Sequence, residues 1–492
     1  MFLNSFFFFI FIFIFIFIFI FIFIFILNKN NIFNFFFFNN ASQFLFLFLF
    51  LFLFLFLNFI YFFFNYMFNF SFFLYYNFFE FNFFFLNSSS FFLSTIGANY
   101  LFIYYFPFIY IFLIITILSI YFCLSYNKNE LFSFFFFTFL ILITGTLLFF
   151  TDSLIIFFFA YELLLIPSFF ILYKFAKTRR CIEAAYLMFF WTQFGALFLI
   201  FSFLYLFFLT KTASFFLISF FFFSKFEINF FFCCWIIGFG VKLPLWPFYG
   251  WLPKAHVEAS TNFSIFLSGV LVKFAFFGLL KCLLTLQLEP TMFYIYPFLL
   301  IGITDAVFKL FYQIDLKKLI AYSTVIEMHW LTICVISGQS CLILANFCML
   351  ISHALLSTNS FLLVDAINRR FKTRLITEIN GLNFMCPKLF LVCLINCLIF
   401  LGFPGSIFFI AEFLFFSFFF DLFPLLALLL LILLYVFNGI FFFKNWMNVL
   451  FGTPKNINQT LPLDLSTKEF LIYMGLIILM YWLGLTWQSF IF

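Results

Sequence analysis

Apolar residues run in stretches of about 20 along most of this 492-residue chain, with polar residues gathered in short gaps between them. A helix that crosses a bilayer needs roughly 20 apolar residues, so the pattern predicts an all-α polytopic membrane protein of about fourteen transmembrane helices. From residue 100 onward the stretches are separately legible: 100–123, 134–151, 153–173, 184–209, 230–252, 263–285, 291–312, 316–338, 341–364, 388–417, 422–443 and 469–490. Asn, Lys, Arg, Asp and Gly fill the gaps. Two stretches carry breakers, Pro244 and Pro247 in 230–252 and Gly402, Pro404 and Gly405 in 388–417. An interrupted membrane helix frees backbone groups that need protein or water partners, so both are expected to line an interior cavity.

The first 95 residues read differently. Phe9–Phe25 alternates Phe with Ile, and Phe44–Leu57 alternates Phe with Leu. Alternation of two apolar residues has no polar face, and an open sheet in lipid would leave its edges unsatisfied, so two or three lipid-facing helices are predicted there. The expected organisation is a low-complexity N-terminal set of spans over 1–95, a functional core over 96–450, and a C-terminal loop with a last helix over 451–492.

Composition sharpens this picture. The chain is 67% hydrophobic and 8% charged, with 113 Phe, which leaves no length for a soluble catalytic domain. The bias towards Phe, Ile, Leu, Asn, Tyr and Lys suits a T- and A-rich coding strand. With spans this apolar, it predicts synthesis inside an organelle rather than import. The opening residues read as neither a cleavable signal nor an Arg- and Ser-rich presequence. The Cys residues show no CxxC spacing, so they are expected to be small core hydrophobes rather than metal ligands.

The net charge of +6 matters through its distribution. Alternating the gaps between two sides places Lys128, Lys174 to Arg180, Lys254, Lys317, Lys318, Arg369 to Arg374, Lys388, Lys444, Lys455 and Lys468 on one side. Lys211, Lys225 and Lys281 fall on the other. By the positive-inside rule the basic side faces the compartment of synthesis. Inside the spans themselves lie Glu162, Lys242, Lys273, Asp305, Lys309, Glu327 and Glu412. Ionisable groups at such depth cost several kcal/mol unless paired or hydrated, so together they indicate an internal polar route. Asp305 and Lys309, four apart on one helix, are expected to form a local ion pair.

Five motifs hold most of these groups: Phe159-Ala-Tyr-Glu-Leu-Leu-Leu-Ile-Pro167, Val241-Lys-Leu-Pro-Leu-Trp-Pro-Phe-Tyr-Gly-Trp-Leu-Pro-Lys-Ala-His-Val-Glu-Ala259, Leu271-Val-Lys-Phe-Ala-Phe-Phe-Gly278, Asp315-Leu-Lys-Lys-Leu-Ile-Ala-Tyr-Ser-Thr-Val325 and Phe403-Pro-Gly-Ser-Ile-Phe-Phe-Ile-Ala-Glu412. In this order, over roughly residues 130–450, they resemble the antiporter-like proton-channel subunits of NADH:ubiquinone oxidoreductase (respiratory complex I), most closely the subunit 4 branch. The resemblance implies two inverted repeats, each with a broken helix. It implies that Glu162 and Lys242 form an acid–lysine pair that modulates lysine protonation, that Lys273 is the central relay lysine, and that Glu412 serves the exit half. It implies that His353 bridges lysine and acid, and that His256 is the family's histidine after the first break. Glu327 stands where the family has a relay histidine, with His329 about 200° further around the helix. Ser260 stands where the family has proline.

What the resemblance implies about chemistry is a multi-pass subunit of the mitochondrial inner membrane that moves protons while quinone is reduced elsewhere. This makes it part of an NADH:ubiquinone reductase with no redox centre of its own. NADH, FMN, iron–sulfur clusters and ubiquinone are expected in partner subunits, foremost among the partners the antiporter-like subunits 2 and 5, together with the bilayer; no nucleic acid is expected. A lysine in a low-dielectric interior holds its proton less tightly, and a nearby carboxylate restores it, so an acid–lysine pair of variable separation acts as a switch. Two rival readings remain: a cation/proton antiporter subunit of the same superfamily, and a structural membrane-arm scaffold with a degenerate path. Glu162 with Lys242 as a fixed ion pair, Glu412 as a half-helix cap and His353 as a satisfied core histidine would suit the scaffold.

Overall fold

The computed structural model describes residues 108–109, 111–119, 128–175, 178–285, 293–338, 340–452 and 464–486. The spans expected within 1–95 lie outside the described residues. So does much of the 100–123 stretch, although 111–119 are helical. The described part is helical, with two isolated β-bridges and no strand among the described residues. We label the longer helices α1 (Lys128–Phe150), α2 (Leu154–Lys174), α3 (Arg179–Thr210), α4 (Lys225–Lys242), α5 (Trp251–Glu258), α6 (Thr261–Thr285) and α7 (Tyr296–Phe311). They continue as α8 (Leu316–Ile336), α9 (Ser340–Phe371), α10 (Pro387–Phe400), α11 (Ile407–Leu422), α12 (Pro424–Leu450) and α13 (Thr467–Leu485). Eight helices among the described residues are long and apolar enough to cross a membrane. Among the described residues this falls short of the expected count of about fourteen.

Both predicted interruptions are present. The helix of 230–252 stops at Lys242 and resumes as α5 at Trp251, with Leu243–Pro247 as the break. Neither Pro244 nor Pro247 has an amide hydrogen to continue the helical ladder. The helix of 388–417 stops at Phe400 and resumes at Ile407, where Ser406 Oγ accepts from Phe409 N at 3.3 Å and caps the restart. Gly402 and Gly405 turn this break with φ of 74° and 90°, a region that side chains rarely adopt. Ser260, at the position where proline was expected, caps α6 by accepting from Phe263 N. Asp315 caps α8 in the same way through Lys317 N at 2.9 Å.

The helices sort by burial. The most apolar windows of α6, α8 and α9 are 100%, 94% and 100% buried, against 28% for α1 and 39% for α3 and α13. α9 packs against α8 and α11, and α8 against α7. The inner helices therefore meet protein on all sides, and the ionisable groups they carry are shielded from lipid. Two stretches of wider π-helical turn occur, Leu267–Leu271 within α6 and Ile432–Gly439 within α12. Such turns loosen the backbone ladder and recur at functional sites. Here one lies just before Lys273 and the other contains Tyr435.

Candidate functional site

Glu162 lies near the end of the first half of α2, two residues before its turn at Leu164, and Lys242 is the last residue of α4 before its break. Their side chains meet, with Lys242 Nζ 3.7 Å from Glu162 Oε1. Lys242 is 3% exposed and also donates to the carbonyl of Tyr161 at 2.9 Å. Its ammonium stands 3.4 Å from the centre of the Tyr161 ring, a cation–π contact. Gln193 on α3 donates to the other carboxylate oxygen of Glu162 at 3.0 Å. The pair is thus held by three elements, and each partner has a second, neutral contact to fall back on.

Lys273 is the middle residue of the Thr261–Thr285 helix and is fully buried. Its Nζ donates to the carbonyl of Ser268, in the loosened turn before it. Ser268 Oγ also touches Ser357 Oγ on α9 at 3.3 Å, which joins the two innermost helices through hydroxyls. One turn before Ser357 on α9, His353 Nδ1 is hydrogen-bonded to Glu327 Oε2 on α8. Lys273 lies within electrostatic reach of both residues. His353 Nε2 is buried and has no hydrogen-bond partner.

Glu327 also borders a small cavity with room for a water molecule, whose lining includes Glu412, Tyr435 and Asn438. Glu412 Oε2 accepts from Tyr435 Oη at 2.5 Å. Trp330 Nε1 and Asn438 Oδ1, on residues that line the cavity, are buried without a partner. Buried polar atoms in this state are ones that water in the cavity could satisfy. Gly402, in the second break, has no room for a Cβ because Glu412 Oε2 would meet it.

The structure therefore places Glu162 with Lys242, His353 with Glu327, and Glu327 with Glu412 in the lining of one cavity. Lys273 lies within electrostatic reach of the second pair and donates to the Ser268 carbonyl rather than to either pair. His256 is buried against the Phe361 ring at 4.9 Å with both ring nitrogens unpartnered. His329 faces away from this file towards the first break, where its Nε2 accepts from Trp246 N. Asp305 and Lys309 do pair, at 2.7 Å, and Tyr249 from the first break joins them through its hydroxyl.

Sequence reasoning missed Gln193, Tyr435 and Asn438, each a polar side chain inside an otherwise apolar span. That same signal, applied to uncharged residues, would have found them. It also left Lys317 as a topology marker, whereas its side chain is buried and donates to the Ala259 carbonyl at 3.0 Å.

Residues 151–440 match the family model described as "NADH:quinone oxidoreductase/Mrp antiporter, TM". The chain is 37% identical over 332 residues to NADH-ubiquinone oxidoreductase chain 4 of Paramecium tetraurelia, covering 67% of this chain and 70% of that one. It is 31% identical to the chain 4 protein of Chondrus crispus, covering 69% of each. In fold it is similar to a chain of respiratory complex I from Thermus thermophilus with bound NADH, with TM-score 0.68, 20% identity and coverage of 77% and 81%. It is also similar to a chain of the Mrp complex from Dietzia sp., with TM-score 0.69, 14% identity and the same coverage. Matched over more than half its length, with the two interrupted helices and the buried acid–lysine file inside that match, this chain belongs to the NADH:quinone oxidoreductase/Mrp antiporter transmembrane family.

Proposed function

We propose that this chain moves protons across the mitochondrial inner membrane as the subunit 4-type component of an NADH:ubiquinone oxidoreductase. In this reading Glu162 and Lys242 are the switch, and Lys273, His353, Glu327 and Glu412 are the path. The observation that carries it is the continuity from His353 to Glu412 through the His353–Glu327 hydrogen bond and the cavity that Glu327 and Glu412 share, with Lys273 within electrostatic reach of that pair. An imidazole with one nitrogen on a carboxylate and the other unpartnered can receive a proton on one side and deliver one on the other. The switch works by separation: lengthening the 3.7 Å contact transfers Glu162 to Gln193 and Lys242 to the Tyr161 carbonyl and ring.

Moving one charge against 100 mV costs about 2.3 kcal/mol, so an undriven path would only leak protons inward. Quinone reduction in partner subunits supplies the drive, with NADH, FMN and iron–sulfur clusters held there. The antiporter-like subunits 2 and 5 are the expected neighbours. The names of the relatives and the complex I wording of the Trp-Leu-Pro-Lys-Ala-His-Val-Glu-Ala run support this assignment over a stand-alone antiporter.

The test is Lys273→Met in the assembled complex, in sealed vesicles, with proton translocation followed per NADH oxidised. Loss of translocation by the complex in normal amount is expected. Wild-type stoichiometry would favour the scaffold, and sodium-dependent transport would move the chain to the antiporter branch.

A further inference from the structure

The first break poses a question of backbone accounting, since every buried amide needs an acceptor. Leu243 N returns to Phe239 O at 2.8 Å, and Leu245 N reaches Gly240 O at 2.8 Å. Pro244 and Pro247 have no amide hydrogen. Trp246 N instead donates to His329 Nε2 on α8 at 2.8 Å. On the far side of the same ring, Nδ1 lies 2.8 Å from the Val325 carbonyl. A carbonyl can only accept and an amide can only donate, so the imidazole is neutral with its hydrogen on Nδ1. The ring is fully buried, and α7 makes room for it: a Cβ on Gly302 would collide with His329 Nε2 and with Trp246 Cβ.

We propose that His329 is the post to which the broken helix is tied, a positioning residue that fixes the break and with it Lys242, four residues before Trp246. Both ring nitrogens are committed to backbone, so His329 has no lone pair free to take a proton while the break is intact. It stands outside the proposed proton path, to which α8 contributes Glu327. The role of Lys242 in this statement rests on the function proposed above; the tie itself does not.

The experiment uses the assembled complex with His329→Gln, His329→Asn and Gly302→Ala. Gln carries its oxygen as many bonds from Cα as Nε2 lies in histidine, whereas Asn is one bond short. Amide exchange over Leu243–Gly250 is expected to rise about ten-fold in H329N and G302A, as for the loss of one hydrogen bond, and to stay near wild type in H329Q. Proton translocation per NADH should fall with it, to less than half in H329N and G302A, and recover in H329Q. Equal exchange in H329N and H329Q would overturn the tie. Faster exchange with full translocation would leave the tie standing and refute the switch role of Lys242 instead.

Discussion

Replacing Gly402 with alanine should displace Glu412, and the second break contains its own control. Gly402 and Gly405 have φ of 74° and 90°, so alanine at either position bears a left-handed backbone cost of about 1–2 kcal/mol. They differ in what the new methyl group meets. At Gly405 the nearest atom is Tyr481 Cδ1 at 3.7 Å, an ordinary contact, whereas at Gly402 the methyl meets Glu412 Oε2. The carboxylate must retreat by about 1 Å, which breaks its 2.5 Å hydrogen bond from Tyr435 and moves it relative to the cavity. A shift of that size in a reacting group costs on the order of 10²-fold in the affected step. Both variants should therefore lose a similar amount of thermal stability, measured in detergent. Only Gly402→Ala should lose proton translocation per NADH oxidised in sealed vesicles. Equal translocation by the two variants would refute the reasoning that Glu412 works from its present position.

Three further outcomes are expected. Glu327→Gln should impair translocation, while Glu327→His should retain more of it, because an amide beside His353 cannot pass a proton on whereas an imidazole can; vesicle acidification rates decide this. Gln193→Leu should leave one carboxylate oxygen of Glu162 without its donor and weaken that site by about 1.5–3 kcal/mol, read as a lower coupling ratio at unchanged complex content. Gly145→Val should drive out the Phe274 ring that fills the space beside Gly145, and destabilise the chain by about 1–3 kcal/mol in thermal melts, through overpacking.

Much of this protein follows from its sequence alone. Helix positions came from apolar length, because lipid tolerates no polar gap within a span. The breaks came from Pro244, Pro247 and Gly402 to Gly405, because proline lacks a donor and glycine admits positive φ. The buried charges announced themselves, since Lys242, Lys273, Glu327 and Glu412 have no reason to lie in apolar spans unless a polar interior receives them. Which of them meet was a different matter. Most of these helices are apolar all round, so the sequence carries little record of which face turns inward. That Glu162 finds Lys242 but also Gln193, that Glu327 bonds His353, and that Glu412 leans on Tyr435 depend on the rotation and register of packed helices. His329 shows this most clearly: in the sequence it is only a histidine two residues beyond Glu327, which stands at the family's relay position, and about 200° around the helix. Only the fold brings it to Trp246, whose amide the broken helix leaves without a backbone acceptor.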